Sequence, residues 1–383
     1  MKDTVRLGRI AGVRVGLNWS LVAMVVLVAG GLADNRFLLE APGYPRLAYA
    51  AAGILTAGGL LLGVLLHELG HALVARRAGL GVDGITLNWM GGVTRIQGDA
   101  DHPGTELVVA GIGPVVSAAF GGLLWGLRVV APAVGAGRLA VSALAWLAAI
   151  NLVLAVFNLV PAAPLDGGRV LHAVVWALTG HRWRATRVAT STGMALGALV
   201  LGVGVVMLAR SANPLDGVFF SVIGWWLLAS ARAERELGAL HHTLQGLTLG
   251  QIMRPVGAAP GWITVRSFAE RYGSGRAGWV WLLETWGGGY GGVLLGDAIG
   301  WVPYPQWDLA RPLDAAMPIS AAVGAGPQED VLSVMTRTDG KRVILVVDRD
   351  RTVGAVLPSD VEALVRQGRR SPVPSRGWTL TRG

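Results

Sequence analysis

The sequence predicts a polytopic α-helical membrane protein with about six transmembrane helices, a short membrane-associated β element and a C-terminal cytoplasmic α/β module pair. Three observations predict this fold class. The mean hydropathy is +0.52, and only 15% of the 383 residues are charged, whereas soluble domains contain about 25%. The apolar residues lie in long runs, which are typical of membrane-spanning helices. After residue 235 the composition changes to that of a soluble α/β domain.

Six apolar runs are long enough to cross a hydrocarbon layer about 30 Å thick. They cover residues 17–33, 47–74, 105–127, 139–160, 188–209 and 218–231. The basic N-terminal segment, residues 1–18, superficially resembles a signal peptide, but no convincing small-residue cleavage site follows it. We therefore predict that the first run is a retained helix.

The charges of the loops predict how these helices are oriented. Lys and Arg are concentrated before the first run and after the second, fourth and sixth runs, and they are fewer in the alternate loops. By the positive-inside rule, both termini are cytoplasmic. These flanking residues and their contact with lipid headgroups explain the net charge of +9, since no basic run with interleaved aromatic residues is present. We expect a multi-pass protein of the cell membrane that does not bind nucleic acid.

Residues 82–98, between the second and third runs, have the composition of β-strands rather than of a helix. The β-favouring residues are interrupted by Gly91-Gly92, a pair that is typical of the turn of a hairpin. Non-helical backbone at membrane depth is tolerated where it is buried in protein or lines a water-filled cavity. The segment is thus predicted to border a polar site, and the alternative is an ordinary cytoplasmic loop.

The second run contains an H-E-x-x-H motif formed by His67, Glu68 and His71. On a helix the two histidines are four residues apart, so their imidazole rings share one face and can bind one Zn²⁺ ion, while Glu68 lies beside the metal as a general base. Such side chains at membrane depth cost about 3 kcal/mol each unless they are paired or bind metal. The alternative is a chance match in a helix. The chain has no cysteine, so its zinc ligands must be histidines and carboxylates.

A catalytic zinc site needs a third protein ligand and an open position for water. The best candidate is Asp166, in the stretch NLVPAAPLDG of residues 158–167. The two prolines of this stretch unwind the backbone at the end of the fourth run and allow a carboxylate to turn inward. Taken alone, the stretch also fits a solvent-exposed turn with an aspartate cap.

Together, the H-E-x-x-H motif and the NLVPAAPLDG stretch closely resemble the two motifs of the site-2 protease family of intramembrane zinc metalloproteases. The resemblance covers about residues 13–233 and places the motifs on the second and fourth runs. It implies one Zn²⁺ ion per chain, with His67, His71 and Asp166 as ligands and Glu68 as base and proton shuttle. The implied reaction is hydrolysis of a peptide bond in or near a transmembrane segment of a membrane-anchored protein.

The resemblance also implies roles in substrate binding. Asn158 matches the asparagine that helps to hold the substrate or the developing oxyanion, and a helix–helix hydrogen bond would explain it equally well. Gly91 and Gly92 fall where the family has a glycine-containing β element at the membrane. Such an element could pair with an unwound substrate strand by β-augmentation.

The C-terminal region contains a weak internal repeat with halves at residues 247–299 and 312–364. The second half is predicted to contain an amphipathic segment at 329–336, strands at 342–347 and 353–357, a turn between them and a helix from about Ser359. The repeat resembles a pair of cystathionine-β-synthase-type regulatory modules, as in one branch of the family. Such modules often bind adenine nucleotides, but the Trp- and Gly-rich residues 279–292 depart from the pattern and leave nucleotide binding open.

These features divide the chain into a transmembrane zinc metalloprotease core at residues 1–235, a tandem regulatory domain at 236–365 and a disordered tail at 366–383. The partners we expect are the lipid bilayer, a transmembrane protein substrate and a second copy in a homodimer. A transporter or channel with regulatory modules is the main alternative, but it does not explain an acid between two histidines at zinc spacing. A catalytically silent relative is disfavoured by the intact ligands and base.

Overall fold

The computed structural model describes residues 5–89, 91–98, 100–210, 214–273, 278–338 and 342–368. The chain divides into two compact units, Met1–Glu236 and Leu237–Gly383. Each unit has its own core, and they are described separately.

Long helices dominate the first unit. Six of them within the described residues are long and apolar enough to cross a membrane, in the same six regions that the sequence predicts. The helices of this unit are α1 (Ser20–Gly31), α2 (Phe37–Glu40), α3 (Arg46–Arg77), α4 (Pro103–Val130), α5 (Arg138–Asn158), α6 (Asp166–Thr179), α7 (Arg182–Arg210) and α8 (Pro214–Leu244), whose last residues belong to the second unit. The prediction of a polytopic membrane protein is therefore confirmed.

Five of the six predicted spans are longer in the structure, and the first and the last show why. The first continues through a π-turn, Leu32–Arg36, into α2, so the apolar helix extends over Ser20–Glu40. The last extends over Pro214–Leu244, because polar residues beyond the apolar run continue the helix. Many large apolar side chains of the unit are exposed, such as Leu27, Leu47 and Leu55. Exposed apolar surface of this extent is expected where lipid is the solvent.

A four-stranded sheet lies beside the helices of the first unit. Its strands are β1 (Val5–Ile10), β2 (Val13–Leu17), β3 (Gly81–Asn88) and β4 (Gly91–Gln97), in the order β1-β2-β3-β4. β2 pairs in parallel with β3, and the other two pairings are antiparallel. The predicted β element is thus confirmed and is larger than a hairpin, because two N-terminal strands that the sequence analysis missed join it.

The position of the hairpin turn was predicted wrongly. Gly91 and Gly92 lie within β4, where they pair with Asn88 and Leu87 of β3, so the turn falls between Asn88 and Gly91. Gly91 has φ +127°, a conformation that favours glycine over other residues. The glycine pair is therefore part of β4, and the chain reverses direction before it.

α6 is too short to cross a bilayer, since its 14 residues are about 21 Å long. It packs against α4 and α7. The segment between α5 and α6 contains both prolines of the NLVPAAPLDG stretch and has no helix or strand. Ala163 in this segment donates its backbone N–H to the carbonyl oxygen of Ala189 on α7 at 3.1 Å, so the start of α6 is fixed against α7.

The second unit contains two small sheets. Its elements are α9 (Leu249–Ile252), β5 (Val256–Pro260), α10 (Val265–Phe268), β6 (Val280–Glu284), β7 (Tyr290–Leu295), β8 (Met317–Pro318), β9 (Val323–Ala325), α11 (Val331–Arg337), β10 (Ile344–Asp348), β11 (Arg351–Val356) and α12 (Pro358–Gly368). The strand orders are β5-β6-β7-β8 and β11-β10-β9. A shared apolar cluster that includes Val280, Val293, Val343 and Ala355 packs the two sheets together.

The two halves of the second unit repeat one arrangement. In each half a strand and a helix are followed by a strand parallel to the first and then by an antiparallel strand. The segments predicted in the second half are confirmed as α11, β10, β11 and α12, with boundaries shifted by one to two residues. The predicted tail, residues 366–383, overlaps the end of α12, and its part after Gly368 lies outside the described residues.

Candidate metal centre

The H-E-x-x-H motif lies in the C-terminal half of α3. This helix forms because its 32 residues are mostly Leu, Ala and other good helix formers, and because Arg76 and Arg77 in its last turn interact favourably with the helix dipole. His67 and His71 are one turn apart and both are buried, with 5% and 7% of their surface exposed. Their Nε2 atoms are 3.1 Å apart. Helical spacing therefore brings the two rings together as predicted.

Asp166 completes the cluster from a different part of the chain. It is the first residue of α6, and its Oδ2 lies 3.1 Å from Nε2 of His67 and 3.3 Å from Nε2 of His71. These three residues are the group of His, Asp and Glu side chains within the described ranges that could hold one metal ion. The prolines upstream keep the chain out of a continuous helix, which allows α6 to begin at the depth of the histidines.

The geometry of this cluster fits Zn²⁺. Zinc ligands about 2.0–2.1 Å from a tetrahedral ion are about 3.3 Å from one another. The three ligand atoms are separated by 3.1, 3.1 and 3.3 Å. Glycine at position 113 of α4 leaves the space in front of them open, because a β-carbon there would clash with Nε2 of both histidines. The donor set of two imidazoles and one carboxylate is also one that zinc prefers.

α4 orients both histidine rings. Nδ1 of His71 is 2.6 Å from the carbonyl oxygen of Val109, and Nδ1 of His67 is 2.9 Å from Oγ of Ser117. A carbonyl oxygen can only accept, so Nδ1 of His71 carries the proton and its Nε2 presents a lone pair to the cluster. When Nδ1 of His67 donates to the Ser117 hydroxyl in the same way, three lone-pair atoms converge on one point, an arrangement that a cation stabilises.

Glu68 lies beside the cluster and is covered by the sheet. The Thr94 hydroxyl on β4 is 2.6 Å from Oε2 of Glu68 and 3.2 Å from its backbone carbonyl oxygen. Gly92, on the same strand, lies so close that a β-carbon there would clash with the Glu68 side chain. Glycine at this position therefore allows β4 to approach the proposed base.

The remaining predicted residues are not in the cluster. Asn158 is the last residue of α5 and is half-buried, and its side chain has no hydrogen-bond partner among the described residues. Gly91 begins β4, and a β-carbon built on it would meet nothing within 4 Å. The structure thus brings together His67, His71 and Asp166 with Glu68 and Gly92 adjacent, and it leaves Asn158 and Gly91 as nearby candidates without a contact to the ligands.

Sequence reasoning missed four contributors to the site: Ser117, Gly113, Thr94 and the carbonyl group of Val109. One signal could have found the first of them. Ser117 is a polar residue in the middle of the third apolar run, and polar groups within membrane helices are candidates for function. A backbone carbonyl leaves no trace in the sequence.

Comparisons with known proteins agree with this geometry. The sequence profile described as peptidase family M50 matches residues 55–138 and 129–200, which include both motifs. The chain is 33% identical to Rip3 of Mycobacterium tuberculosis, named as a zinc metalloprotease, over 95% of this chain and 93% of that protein. It is 30% identical to a protein of Synechocystis, also named as a zinc metalloprotease, over 80% of each chain.

A solved structure titled as the site-2 protease from Methanocaldococcus jannaschii has 26% sequence identity and a TM-score of 0.42, covering 60% of this chain and 94% of that one. The sequence relatives carry the assignment, because they are 30% or more identical over at least 80% of both chains. The chain belongs to peptidase family M50, the site-2 protease family of intramembrane zinc metalloproteases.

Proposed function

We propose that His67, His71 and Asp166 bind the zinc ion of this intramembrane metalloprotease and that Glu68 is its general base. The observation that carries the proposal is the convergence of the three ligand atoms within 3.1 to 3.3 Å of one another. Buried imidazole and carboxylate groups in a membrane helix bundle are costly unless they are paired or bind metal. The contacts with α4 hold each imidazole ring in one orientation, as binding of a metal ion would require.

Zinc bound at this cluster supplies a Lewis acid and activates water near pH ~7. The protein residues hold and move the proton. Thr94 holds Oε2 of Glu68, whereas Oε1 has no hydrogen-bond donor among the described residues. Oε1 is thus available to accept the proton of the attacking water and to deliver it to the leaving amine nitrogen. Thr94 restricts the carboxylate to one orientation during this transfer.

The test is proteolysis by the protein reconstituted in liposomes with a single-span substrate that contains helix-weakening residues. Glu68→Gln should reduce the rate by a factor of about 10² to 10⁴, because the amide fills the same space and cannot accept the proton. Zinc content is measured on the same preparation and should stay at one ion per chain. Comparable turnover by Glu68→Gln would remove Glu68 from the mechanism.

The substrate is expected to bind as an extended strand. β4 is at the end of the strand order, so one of its edges is not paired within the sheet. A transmembrane helix hides its carbonyl groups in hydrogen bonds and must unwind before hydrolysis. Pairing of the unwound segment with β4 would replace the lost hydrogen bonds, with Gly91 and Gly92 at the strand start next to Glu68 and with Asn158 as a donor to the substrate. Membrane-anchored proteins already shortened by an earlier cleavage are the substrate class that membership of the family suggests.

The proposed location is the cell membrane with both termini in the cytoplasm. The excess of Lys and Arg before the first helix and after the second, fourth and sixth apolar runs supports this orientation. Arg76 and Arg77 follow the motif on α3, so the zinc site is nearer to the cytoplasmic end of its helix. Accessibility of single cysteines introduced at the termini and in the loops to an impermeant thiol reagent tests the assignment, since the natural chain has no cysteine.

The second unit is proposed to be a tandem cystathionine-β-synthase-type domain that regulates or dimerises the protease. The repeated order of strand, helix, parallel strand and antiparallel strand supports this proposal. A protein that ends at Leu244 should keep its zinc and change in the rate or control of cleavage, because the proposed ligands and base all precede this residue. Zinc loss on truncation would contradict this division of the chain.

Adenine nucleotide binding by the second unit rests on one cavity in its second half. The cavity has a volume of about 290 Å³ and is lined by Val323, Gly324, Val334, Arg337, Thr338 and Arg342. Arg342 could pair with a phosphate group, and Arg337 could do so by giving up its ion pair with Glu329. If calorimetry with ATP, AMP and S-adenosylmethionine gives no heat of binding, the proposal of adenine nucleotide binding is wrong.

A further inference from the structure

Four residues of α4 lie in one stripe along the helix: Glu106, Val109, Gly113 and Ser117. Their spacing of three and then four residues places them on the same side of the helix. Val109 and Ser117 orient the two histidines, and Gly113 leaves room for the metal. Glu106 is the remaining member of the stripe, and it contacts none of the ligands directly.

Glu106 instead contacts the helix that carries the third ligand. Its Oε2 is 2.8 Å from Nδ1 of His172 on α6, and Nε2 of His172 is 3.2 Å from Oγ1 of Thr186 on α7. Both side chains of the pair are mostly buried, with 15% of His172 and 20% of Glu106 exposed. His172 is six residues after Asp166, which is about 9 Å along the helix.

The pair of Glu106 and His172 connects α6 to α4, whereas the backbone hydrogen bond before α6 connects it to α7. The segment before α6 is bonded to α7 through Ala163 and Ala189, so it fixes Asp166 relative to α7. The histidines, however, are oriented by α4. The bond between Glu106 and His172 is a directional link between α6 and α4, and it thereby links the carboxylate to the helix that sets the two imidazoles.

We propose that Glu106 and His172 are positioning residues that hold Asp166 at bonding distance from the zinc bound by His67 and His71. The inference rests on the proposed set of three ligands. A metal site tolerates errors of only about 0.2 Å in ligand distance. Because α6 is short and follows an irregular segment, a small tilt of this helix would move Asp166 by more than that. With the pair intact, α4 contacts both histidines and also the helix that carries Asp166.

The experiment measures the zinc affinity of the full-length protein in detergent by competition with a chromogenic chelator. Glu106→Ala and His172→Ala should each weaken zinc binding about 10-fold to 100-fold, the range found when residues that support a metal ligand are removed. The double variant should be no weaker than the worse single variant, because both changes break one contact. His172→Asn, whose amide nitrogen takes the position of Nδ1 and can still donate to Glu106, should recover most of the affinity.

A matched control is His181→Ala, which should leave zinc affinity unchanged. His181 is exposed, and its Nδ1 contacts the carbonyl oxygen of Thr179 two residues away. Thermal unfolding of each metal-free variant is recorded as well. If Glu106→Ala and His172→Ala lower the unfolding temperature while zinc affinity stays at the wild-type value, the pair is a structural contact only and the proposal is wrong.

Asp166→Ala, measured alongside, distinguishes the two proposals. If this variant loses zinc while the Glu106 and His172 variants keep wild-type affinity, the ligand set stands and the positioning role is overturned. If Asp166→Ala itself keeps zinc, the ligand set is wrong and the positioning role is overturned with it.

Discussion

The two units of this protein bury different kinds of side chain. The buried polar side chains among the described residues are Thr56, His67, His71, Thr86, Asn88, Ser117, Ser142, Asn151, Thr190 and Thr338, and all but Thr338 belong to the first unit. The second unit instead buries large apolar groups such as Trp281, Phe268 and Leu283. Its ion pairs, Arg254 with Asp360 and Arg266 with Asp308, include exposed or partly exposed side chains.

The buried polar groups of the first unit are expected of helices that pack in lipid. Lipid is as apolar as leucine, so helices in a bilayer gain little from burying apolar surface against one another and rely on close packing and polar contacts. Gly53 of α3 illustrates the close packing, since a β-carbon there would clash with the backbone of Ala29 on α1. A domain in water is stabilised mainly by apolar burial. Some buried polar groups of the first unit, such as Thr56 and Asn151, bond to the backbone of their own helix, whereas His67, His71 and Ser117 meet in the candidate site.

The largest expected effect comes from removing a polar side chain of the first unit that we propose as a zinc ligand. Asp166→Ala should weaken zinc binding by more than about 100-fold, because loss of a direct ligand exceeds the effect of losing a supporting contact. Zinc is measured by elemental analysis and chelator competition. Asp216→Ala is the matched control, since Asp216 also lies in the first turn of its helix but is exposed. Full zinc occupancy in Asp166→Ala would mean that the third ligand is wrongly assigned.

A smaller effect is expected from a change in the sheet. Gly92→Ala should slow proteolysis about 100-fold while zinc stays bound, because the new methyl group would displace Glu68 from its place by the ligands, and small displacements of catalytic groups have costs of this size. The liposome assay and zinc content are measured together. Gly122→Ala on α4 is the control, since a β-carbon there meets nothing within 4 Å. Normal cleavage by Gly92→Ala would show that β4 can move away from Glu68 freely.

The smallest expected effect tests the surface ion pairs of the second unit. The N–H of Gly326 and the guanidinium of Arg337 lower the pKa of Glu329 from its usual value of 4.5. A lowered pKa in the folded state stabilises the unit above pH 4.5, and this contribution is lost as the pH falls through the folded-state pKa. Glu329→Gln should therefore reduce the unfolding temperature at neutral pH by about 2 °C or less, and the difference from wild type should shrink under acid.

Thermal unfolding at neutral pH and at about pH 4 measures this difference. Glu270→Gln is the control, since Glu270 is exposed and has no ion-pair partner among the described residues. An equal loss of stability at both pH values would mean that the charge of Glu329 is not what the contact requires.

The cluster of His67, His71 and Asp166 could be predicted from the sequence because its signal is local. His67 and His71 are brought together by one turn of helix, and Asp166 is marked by the prolines before it and by the resemblance to a known motif. The apolar runs predicted the helices for the same reason. In the second unit, the strands of the second half could be predicted because their composition and spacing are typical of strands, as in β10 and β11.

The features that were missed depend on contacts between distant segments. β1 consists of exposed residues, and it is ordered by pairing with β2, which in turn pairs with β3 from the other side of α3. Gly91-Gly92 was predicted as a turn because the pair is typical of one, whereas Gly92 is required by its closeness to Glu68. The link between Glu106 and His172 joins residues 66 positions apart, so no local sequence pattern predicts it.

Gly113 has a consequence for the wider family. A methyl group at this position would point at Nε2 of both histidines and fill the volume that the metal needs. A relative could therefore keep the H-E-x-x-H motif and the aspartate and still be unable to load zinc if alanine or a larger residue stood here on an otherwise unchanged backbone. We therefore expect relatives with a larger residue at this position to lack zinc, and zinc analysis of such proteins would test this expectation independently of the ligands themselves.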